Sequence, residues 1–209
     1  TLVQSEFEAT SRNVLAVIPG TEYPEESIAL TAHYDSVPVG KGAHDNASGA
    51  AALMHIYRHF LKNPPKRTLR FIWCGAEEGG LFGSQAYIER NKALMPQIRL
   101  CFNFDMCGTT LGENHISVTG GEALKHFTEQ FCREVGRSSV VRVRVQSSDS
   151  AVFADHGVPA IAISRYADSA DYHVHSDVLF PLGAEQLYRD AEFAVRYIAR
   201  VANSIVLPL

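Results

Sequence analysis

The sequence predicts an α/β domain, a three-layer α/β/α sandwich in which helices cover both faces of a mixed, largely parallel sheet. Short apolar runs typical of buried strands alternate along the chain with longer segments whose apolar residues recur at helical spacing, as this architecture requires. A length of 209 residues is enough for one domain with a substantial core. No linker, repeat or low-complexity tract interrupts the chain, so we predict a single domain over residues 1–209.

The first third of the chain predicts two strands and a helix. Strands over residues 12–18 and 27–33 flank a turn rich in Pro, Gly and Glu. After a loop over residues 34–45, a helix over residues 46–61 opens with small residues and then carries apolar residues at helical spacing. It ends at residues 63–65, because Asn-Pro-Pro cannot continue a helix.

The rest of the chain alternates in the same way. Strands are predicted over residues 67–74, 98–104, 140–145 and 160–164, and helices over residues 81–91, 121–136, 149–156 and 184–205. In the strand over 140–145, Val alternates with Arg, so we expect Arg142 and Arg144 to lie on an exposed sheet face. A long loop over residues 165–182 precedes the closing helix.

The composition narrows the functional class. A net charge of −4 without blocks of one sign argues against nucleic acid as the main partner, and no apolar run reaches membrane-spanning length. The four cysteines show no CxxC spacing, which argues against a structural zinc knot and slightly favours a reducing compartment. The chain begins abruptly at Thr1 with no signal peptide, and we expect an upstream segment or domain to precede it.

Two adjacent glutamates, Glu77 and Glu78, follow the apolar strand over residues 67–74. Carboxylates at the end of a buried strand are desolvated and repel each other unless a cation neutralises them. Neighbours on an extended backbone point in opposite directions, so the two side chains can serve one site in two different roles.

Five side chains that are far apart in the sequence are predicted to lie at the carboxyl ends of the strands. They are His33, Asp45, Glu78, Asp105 and His173. In an open α/β sheet, ligands gather at this edge, so we predict that the five side chains form a metal site.

A charge count predicts how many ions the site holds. Three carboxylates contribute −3, two neutral imidazoles contribute nothing, and a bound hydroxide brings the sum to −4, which two divalent cations balance. Mixed imidazole and carboxylate ligation favours zinc, with manganese or cobalt as chemical alternatives.

Five short motifs carry these candidate ligands. They are His33-Tyr34-Asp35-Ser36, Asp45-Asn46-Ala47-Ser48-Gly49, Ala76-Glu77-Glu78-Gly79 with Gly83-Ser84, Asn103-Phe104-Asp105, and Tyr172-His173 with Asp177. In this order, over residues 13–182, they resemble the di-zinc aminopeptidases, a family that includes bacterial secreted leucyl-type aminopeptidases. Glutamate carboxypeptidase and glutaminyl cyclase are relatives of that family. The resemblance implies an α/β/α sandwich around a mixed eight-stranded sheet.

The resemblance also implies how the metals are held. Asp45 would bridge two ions. His33 and Asp105 would complete one site, and Glu78 and His173 would complete the other. His173 is preferred to His175 as the last ligand, because the family pattern places that ligand four residues before an Asp.

Three further residues take catalytic roles by resemblance. Glu77 would be the general base that removes a proton from the attacking water and delivers it to the leaving amine. Asp35 would orient the metal cluster from behind the ligands. Tyr172 would donate a hydrogen bond to the developing oxyanion, or else it only packs on its loop.

The implied activity is metal-dependent exopeptidase cleavage of peptide substrates, with release of N-terminal residues. Alternatives on the same scaffold are carboxypeptidase or dipeptidase hydrolysis and glutaminyl cyclisation, and a third is a non-enzymatic binding module of the transferrin-receptor type. The resemblance favours a secreted or periplasmic location and the cysteine usage weakly favours a cytoplasmic one, so localisation stays open, as does oligomeric state.

Two other positions have alternative interpretations. Asp149 is interpreted as a cap for the short helix over residues 149–156. Arg165 opens the loop that leads to His173, and it either lines the substrate pocket or lies exposed on the surface.

Overall fold

A seven-stranded sheet forms the centre of the computed structural model, which describes residues 8–166 and 173–209. In chain order the strands are β1 (Val14–Ile18), β2 (Tyr23–His33), β3 (Arg67–Cys74), β4 (Ile98–Phe104), β5 (Glu113–Thr119), β6 (Val140–Val143) and β7 (Ala160–Tyr166). Their order across the sheet is β1-β3-β2-β4-β7-β5-β6.

The sheet is mixed and largely parallel, which confirms the predicted fold class. Strands β3, β2, β4 and β7 run parallel to one another, and β5 and β6 also pair in parallel. Antiparallel pairing joins β1 to β3 and β5 to β7. The described residues form seven strands, one fewer than the eight that the family resemblance implies.

Five helices cover the two faces of the sheet. They are α1 (Gly49–Lys62), α2 (Phe82–Arg90), α3 (Glu122–Glu134), α4 (Asp149–Asp155) and α5 (Ala184–Ala202). Helices α1, α3 and α5 share one core cluster with the sheet, and α2 and α4 share the other. Within the described part of the chain, no helix is long and apolar enough to cross a membrane.

The central strands are buried on both faces, as parallel strands in a sandwich are. Along β2, Ile28, Leu30 and Ala32 pack into the larger cluster, whereas Ala29 packs into the smaller one. This follows from the two-residue period of a strand, which sends successive side chains to opposite faces. The core therefore fixes which side chains of β2 can reach the end of the sheet.

Two predictions for elements need correction. Strand β5 was absent from the predicted elements, although its alternation of buried Ile116 and Val118 with polar residues between Gly112 and Gly120 is a strand signal. The predicted helix over residues 46–61 instead begins at Gly49. Before it, Ala43–Ser48 form a wide, irregular helical turn.

Candidate metal centre

Three neighbouring strands bring the candidate ligands to one edge of the sheet. Strands β3, β2 and β4 are adjacent and parallel, so their carboxyl ends lie side by side. His33 is the last residue of β2, Asp105 directly follows β4, and Glu77 and Glu78 lie in the turn after β3. Asp45 enters from the wide turn before α1.

The carboxylate of Asp45 lies between two histidines. Its Oδ1 lies 3.1 Å from His33 Nε2, and its Oδ2 lies 3.1 Å from His173 Nε2. His33 Nε2 also lies 3.4 Å from Asp105 Oδ1, and His173 Nε2 lies 2.9 Å from Glu78 Oε2. The five residues thus form two sets, each containing one imidazole and one terminal carboxylate, and the two sets share Asp45.

The donor atoms fit a metal better than they fit one another. Glu78 Oε1 and Asp105 Oδ1 are buried and accept no hydrogen bond among the described residues. Buried carboxylate oxygens without a donor are costly, and a cation would satisfy them. Donor atoms of His33, Asp45 and Glu78 lie within 4.8 Å of one another, as do those of His33, Glu77 and Asp105. Imidazole with carboxylate oxygens is a zinc-type donor set.

The closely spaced carboxylates of this site raise the pKa values of His33 and Glu78. Burial alone would lower the pKa of His33, but the neighbouring carboxylates of Asp105, Asp35 and Asp45 raise it well above its ordinary value. Burial and the neighbouring charge of Asp45 raise the pKa of Glu78. Without metal the site therefore tends to hold protons, for which divalent ions would compete.

Glu77 faces the same cavity as the candidate ligands. Burial raises the pKa of Glu77 to about 8, with the negative charges of Asp105, Asp149 and Glu78 adding to the effect and His33 opposing it. The expectation that the two glutamates sit on an extended backbone was wrong. Ala76 has φ of 58°, and Glu77 accepts hydrogen bonds from Gly80 N and Leu81 N, so both glutamates lie in a tight turn.

Two aspartates hold the turns that present the candidate ligands. Asp35 accepts hydrogen bonds from Glu77 N at 3.0 Å and Glu78 N at 3.1 Å. These bonds, together with His33, lower the pKa of Asp35 against the opposing effect of burial. Asp35 also lies 3.5 Å from His33 Nδ1.

Asp177 accepts hydrogen bonds from the backbone of the turn that carries Asp45, as Asp35 does for the turn that carries Glu77 and Glu78. Asp177 Oδ1 accepts a bond from His44 N at 2.7 Å and Asp177 Oδ2 accepts one from Asp45 N at 3.1 Å. Asp177 is buried. The sequence offered Asp177 only as a marker for His173, because a contact spanning more than 130 residues leaves no local signal.

Asn46 ties the Asp45 turn to the end of β4. Its Nδ2 donates to Phe104 O at 2.9 Å, and its Oδ1 accepts from Gly49 N and Met106 N. These bonds join the backbone next to Asp45 to the backbone on both sides of Asp105. Asn46 belongs to one of the sequence motifs, but the motif predicts no role for it.

Other candidate residues differ from their predicted roles. Asp149 opens α4 and is fully buried, and neither of its carboxylate oxygens accepts a hydrogen bond in the described part of the chain, so it forms no cap there. Burial raises the pKa of Asp149 to about 6, against the opposing effects of Ser84, His33 and Cys74. Arg165 neither lines the cavity nor lies free on the surface, because it donates to Thr109 O at 2.6 Å and Asn114 Oδ1 at 2.8 Å. His175 is exposed, and Tyr172 lies outside the described residues.

The candidate ligands line one wall of a cavity of about 690 Å³. Gly80, Leu81, Met106 and the segment 144–147 complete its described lining, together with Tyr166. A cavity of this size suits a small ligand or a short peptide segment.

Comparison with known proteins agrees with this geometry. The sequence profile described as peptidase family M28 matches residues 13–197, most of the chain. The chain belongs to peptidase family M28. The matched region contains all five candidate ligands and Glu77.

Two of the curated relatives that the chain resembles carry different peptidase names. It is 30% identical over 156 residues to aminopeptidase YwaD of Bacillus subtilis (strain 168), covering 71% of this chain and 34% of that protein. It is also 30% identical over 188 residues to carboxypeptidase Q of Bos taurus, covering 86% of this chain and 39% of that protein.

Solved structures of the family share the fold. A zinc aminopeptidase from Bacillus subtilis, BSAP, superposes with a TM-score of 0.82 at 24% identity, covering 92% of this chain and 50% of that one. The chain thus spans between a third and two fifths of the length of these two curated relatives and half of this solved one.

Proposed function

We propose that this chain is the catalytic part of a zinc-dependent aminopeptidase that releases N-terminal residues from peptides. The observation that carries the proposal is the position of Asp45, which faces His33 with one oxygen and His173 with the other. A bridging carboxylate between two imidazole-carboxylate sets is the arrangement that a two-metal hydrolase needs. Membership of family M28 supports the same activity.

The contacts among these residues support an assignment of ligands to two ions. His33, Asp45 and Asp105 would hold one zinc ion, and Asp45, Glu78 and His173 would hold the other. When bound, the ions lower the pKa of a coordinated water to about 7 and polarise the scissile carbonyl.

Glu77 supplies the proton transfer. A carboxylate that is not needed as a ligand can accept the proton of the attacking water and later donate it to the leaving amine. Burial and the surrounding negative charge raise the pKa of Glu77 to about 8. Divalent cations bound beside Glu77 would lower this pKa and favour the ionised form, which is the form that accepts a proton. Asp35 fixes the Glu77 backbone and thereby aims this carboxylate.

Replacing Glu77 by Gln tests this role. Because Gln keeps the shape but cannot take a proton, we expect turnover to fall by about a hundredfold or more. Zinc content measured by elemental analysis should stay at the wild-type level. Undiminished turnover would remove Glu77 from the mechanism.

Carboxypeptidase activity is the second candidate, favoured by the similarity to carboxypeptidase Q. Reporter substrates separate the two activities. The zinc-loaded protein should hydrolyse leucine p-nitroanilide but not its N-acetylated form, since an aminopeptidase requires a free α-amine. Chelation should abolish this activity and zinc should restore it. Release of the C-terminal residue from an N-acetylated dipeptide, without hydrolysis of the anilide, would favour the carboxypeptidase instead.

A further inference from the structure

Arg144 lines the same cavity as the candidate metal ligands. The sequence predicts Arg144 on an exposed face of a strand over residues 140–145, but β6 ends at Val143, and Arg144 is an exposed residue directly after it, at the cavity. We propose that Arg144, with Gln146, forms a subsite that binds the free carboxylate of a short peptide substrate. This rests on the proposed peptidase function and names the substrate class of that site.

Three hydrogen bonds hold Arg144 beside β5, one of which Thr119 Oγ1 donates to Arg144 O at 3.1 Å. The backbone N of Arg144 donates to Val118 O at 3.1 Å, and its side-chain Nε donates to Ser117 Oγ at 2.9 Å. Ile116 and Val118 of β5 point into the core, so Ser117 lies on the opposite face, where the cavity lies. Because this contact is made through Nε, the two terminal nitrogens of the guanidinium form no hydrogen bond with the residues that the structure describes, and they can bind a ligand.

No carboxylate of the described residues forms an ion pair with Arg144. Arg67, Arg137 and Arg200 each form an ion pair with a carboxylate, whereas Arg144 forms none with the described residues. It is also the one arginine or lysine among the described residues that line the cavity. A lone, oriented guanidinium beside a substrate cavity is suited to binding a carboxylate through two parallel hydrogen bonds.

Gln146 provides the second polar group. It lines the cavity and is 8% exposed, and its buried Oε1 accepts no hydrogen bond among the described residues. Such an oxygen is costly to bury unless a ligand donates to it. The C-terminal residue of a peptide has a backbone N–H next to its free carboxylate. The pair Arg144 and Gln146 therefore fits a peptide terminus better than it fits an acidic side chain.

The cavity as a whole suits a short zwitterionic peptide. Its candidate metal edge carries Asp45, Glu78 and Asp105, which with bound metal would accept the amine end and the scissile bond. Arg144 carries the opposite charge for the carboxylate end. At about 690 Å³, the cavity has the size of a small-ligand site. Di- and tripeptides are therefore the substrates that this geometry favours.

A set of paired substrates tests the subsite. For the zinc-loaded wild type, kcat/KM is measured for Leu-Gly and Leu-Gly-Gly against their C-terminal amides, and for glutamate p-nitroanilide against glutamine p-nitroanilide. The first pairs report a terminal carboxylate and the last pair reports a side-chain carboxylate. We expect a preference of about tenfold for the free acids, the scale of one charge-assisted hydrogen-bonded contact, and little preference within the anilide pair.

Arg144→Gln should bring the free-acid preference close to one, and Arg144→Lys should restore part of it because the charge is kept. Arg142→Gln is the matched control, since Arg142 is an exposed arginine of β6, two residues before Arg144, and is not among the described residues that line the cavity. That variant should keep the wild-type ratio. Raising the salt concentration should weaken the preference in the wild type, as expected for a partly exposed ion pair.

Several outcomes would overturn the proposal. A wild-type ratio near one for the peptide pairs, or a ratio that survives in Arg144→Gln, removes the carboxylate subsite. A preference seen only in the anilide pair would show that the subsite binds an acidic side chain and not the C-terminal carboxylate of a peptide. In each case hydrolysis of leucine p-nitroanilide leaves the peptidase proposal standing, whereas absence of all hydrolysis with zinc bound counts against the peptidase itself.

Discussion

At the scale of single residues, Asp35 and Asp177 do the same work on two different turns. Each carboxylate accepts hydrogen bonds from two successive backbone N–H groups, and each pair of N–H groups belongs to a turn that carries a candidate ligand. A carboxylate is suited to this because it accepts on both oxygens and donates on neither. The positions of Glu78 and Asp45 therefore depend on side chains that are not themselves candidate ligands.

Asp177→Asn should loosen the turn that presents Asp45. The amide keeps one accepting oxygen, so His44 N or Asp45 N loses its partner. We expect zinc affinity to fall by about 10- to 100-fold, the usual cost of removing a group that orients a metal ligand. Competition with a chelating dye measures the affinity. The control is Asp155→Asn on the exposed end of α4, and equal affinities for the two variants would contradict the role of Asp177.

Burial of Asp149 changes the pH dependence of folding stability. Burial raises the pKa of Asp149 to about 6 from an ordinary value of 3.8. Between these values the unfolded chain is ionised while the folded chain keeps its proton, so folded stability falls as pH rises through this window. Above pH 6 the full cost of the buried charge remains.

Asp149→Asn should remove that cost. We expect the variant to be more stable than the wild type by about 3 kcal/mol at pH 8 and by about half as much at pH 5, because less of the penalty has developed there. Urea unfolding at the two pH values measures the difference. A gain that does not change with pH, or a loss of stability at pH 8, would contradict this explanation.

At the scale of elements, the start of α1 fixes the wide turn that carries Asp45. Gly49 begins the helix directly against the end of β4, and a Cβ at this position would overlap Phe104 O and the side chain of Asn46. The close approach lets Asn46 bond both the helix start and the backbone after Asp105. A glycine is therefore required by packing here, since its φ is that of an ordinary helix.

Gly49→Ala should destabilise the protein by about 1–3 kcal/mol, the cost of inserting a methyl group into closely packed surroundings. Ala51→Ser, at an exposed position of the same helix, is the control and should cost about 0.5 kcal/mol through helix propensity alone. Urea unfolding of both variants makes the comparison. A Gly49→Ala variant as stable as the control would show that the helix start can shift without cost.

The elements also show what a sequence can and cannot predict. Strands β3 and β4 were predicted to the residue, because each is a continuous apolar run buried on both faces. The wide turn Ala43–Ser48 was not, because it depends on Phe104 and Asp177, which lie far along the chain. The cavity role of Arg144 was missed for a related reason, since alternation reports the face of a strand but not what that face borders.

At the scale of the whole molecule, the site is a consequence of strand order. Placing β2 between β3 and β4 brings together chain ends that are separated by dozens of residues, and parallel pairing puts those ends at the same edge. The sequence could therefore predict that the candidate ligands meet. It could not predict the distances between them, or that Asp45 would face one histidine with each oxygen.

Zinc content per folded chain tests the two-metal site most directly. The wild type, loaded and dialysed, should retain two zinc ions by elemental analysis. His173→Ala removes an imidazole from only one of the two sets and should retain one. A wild type that binds a single ion, or a His173→Ala variant that still binds two, would contradict the sharing of Asp45 between two metal sites.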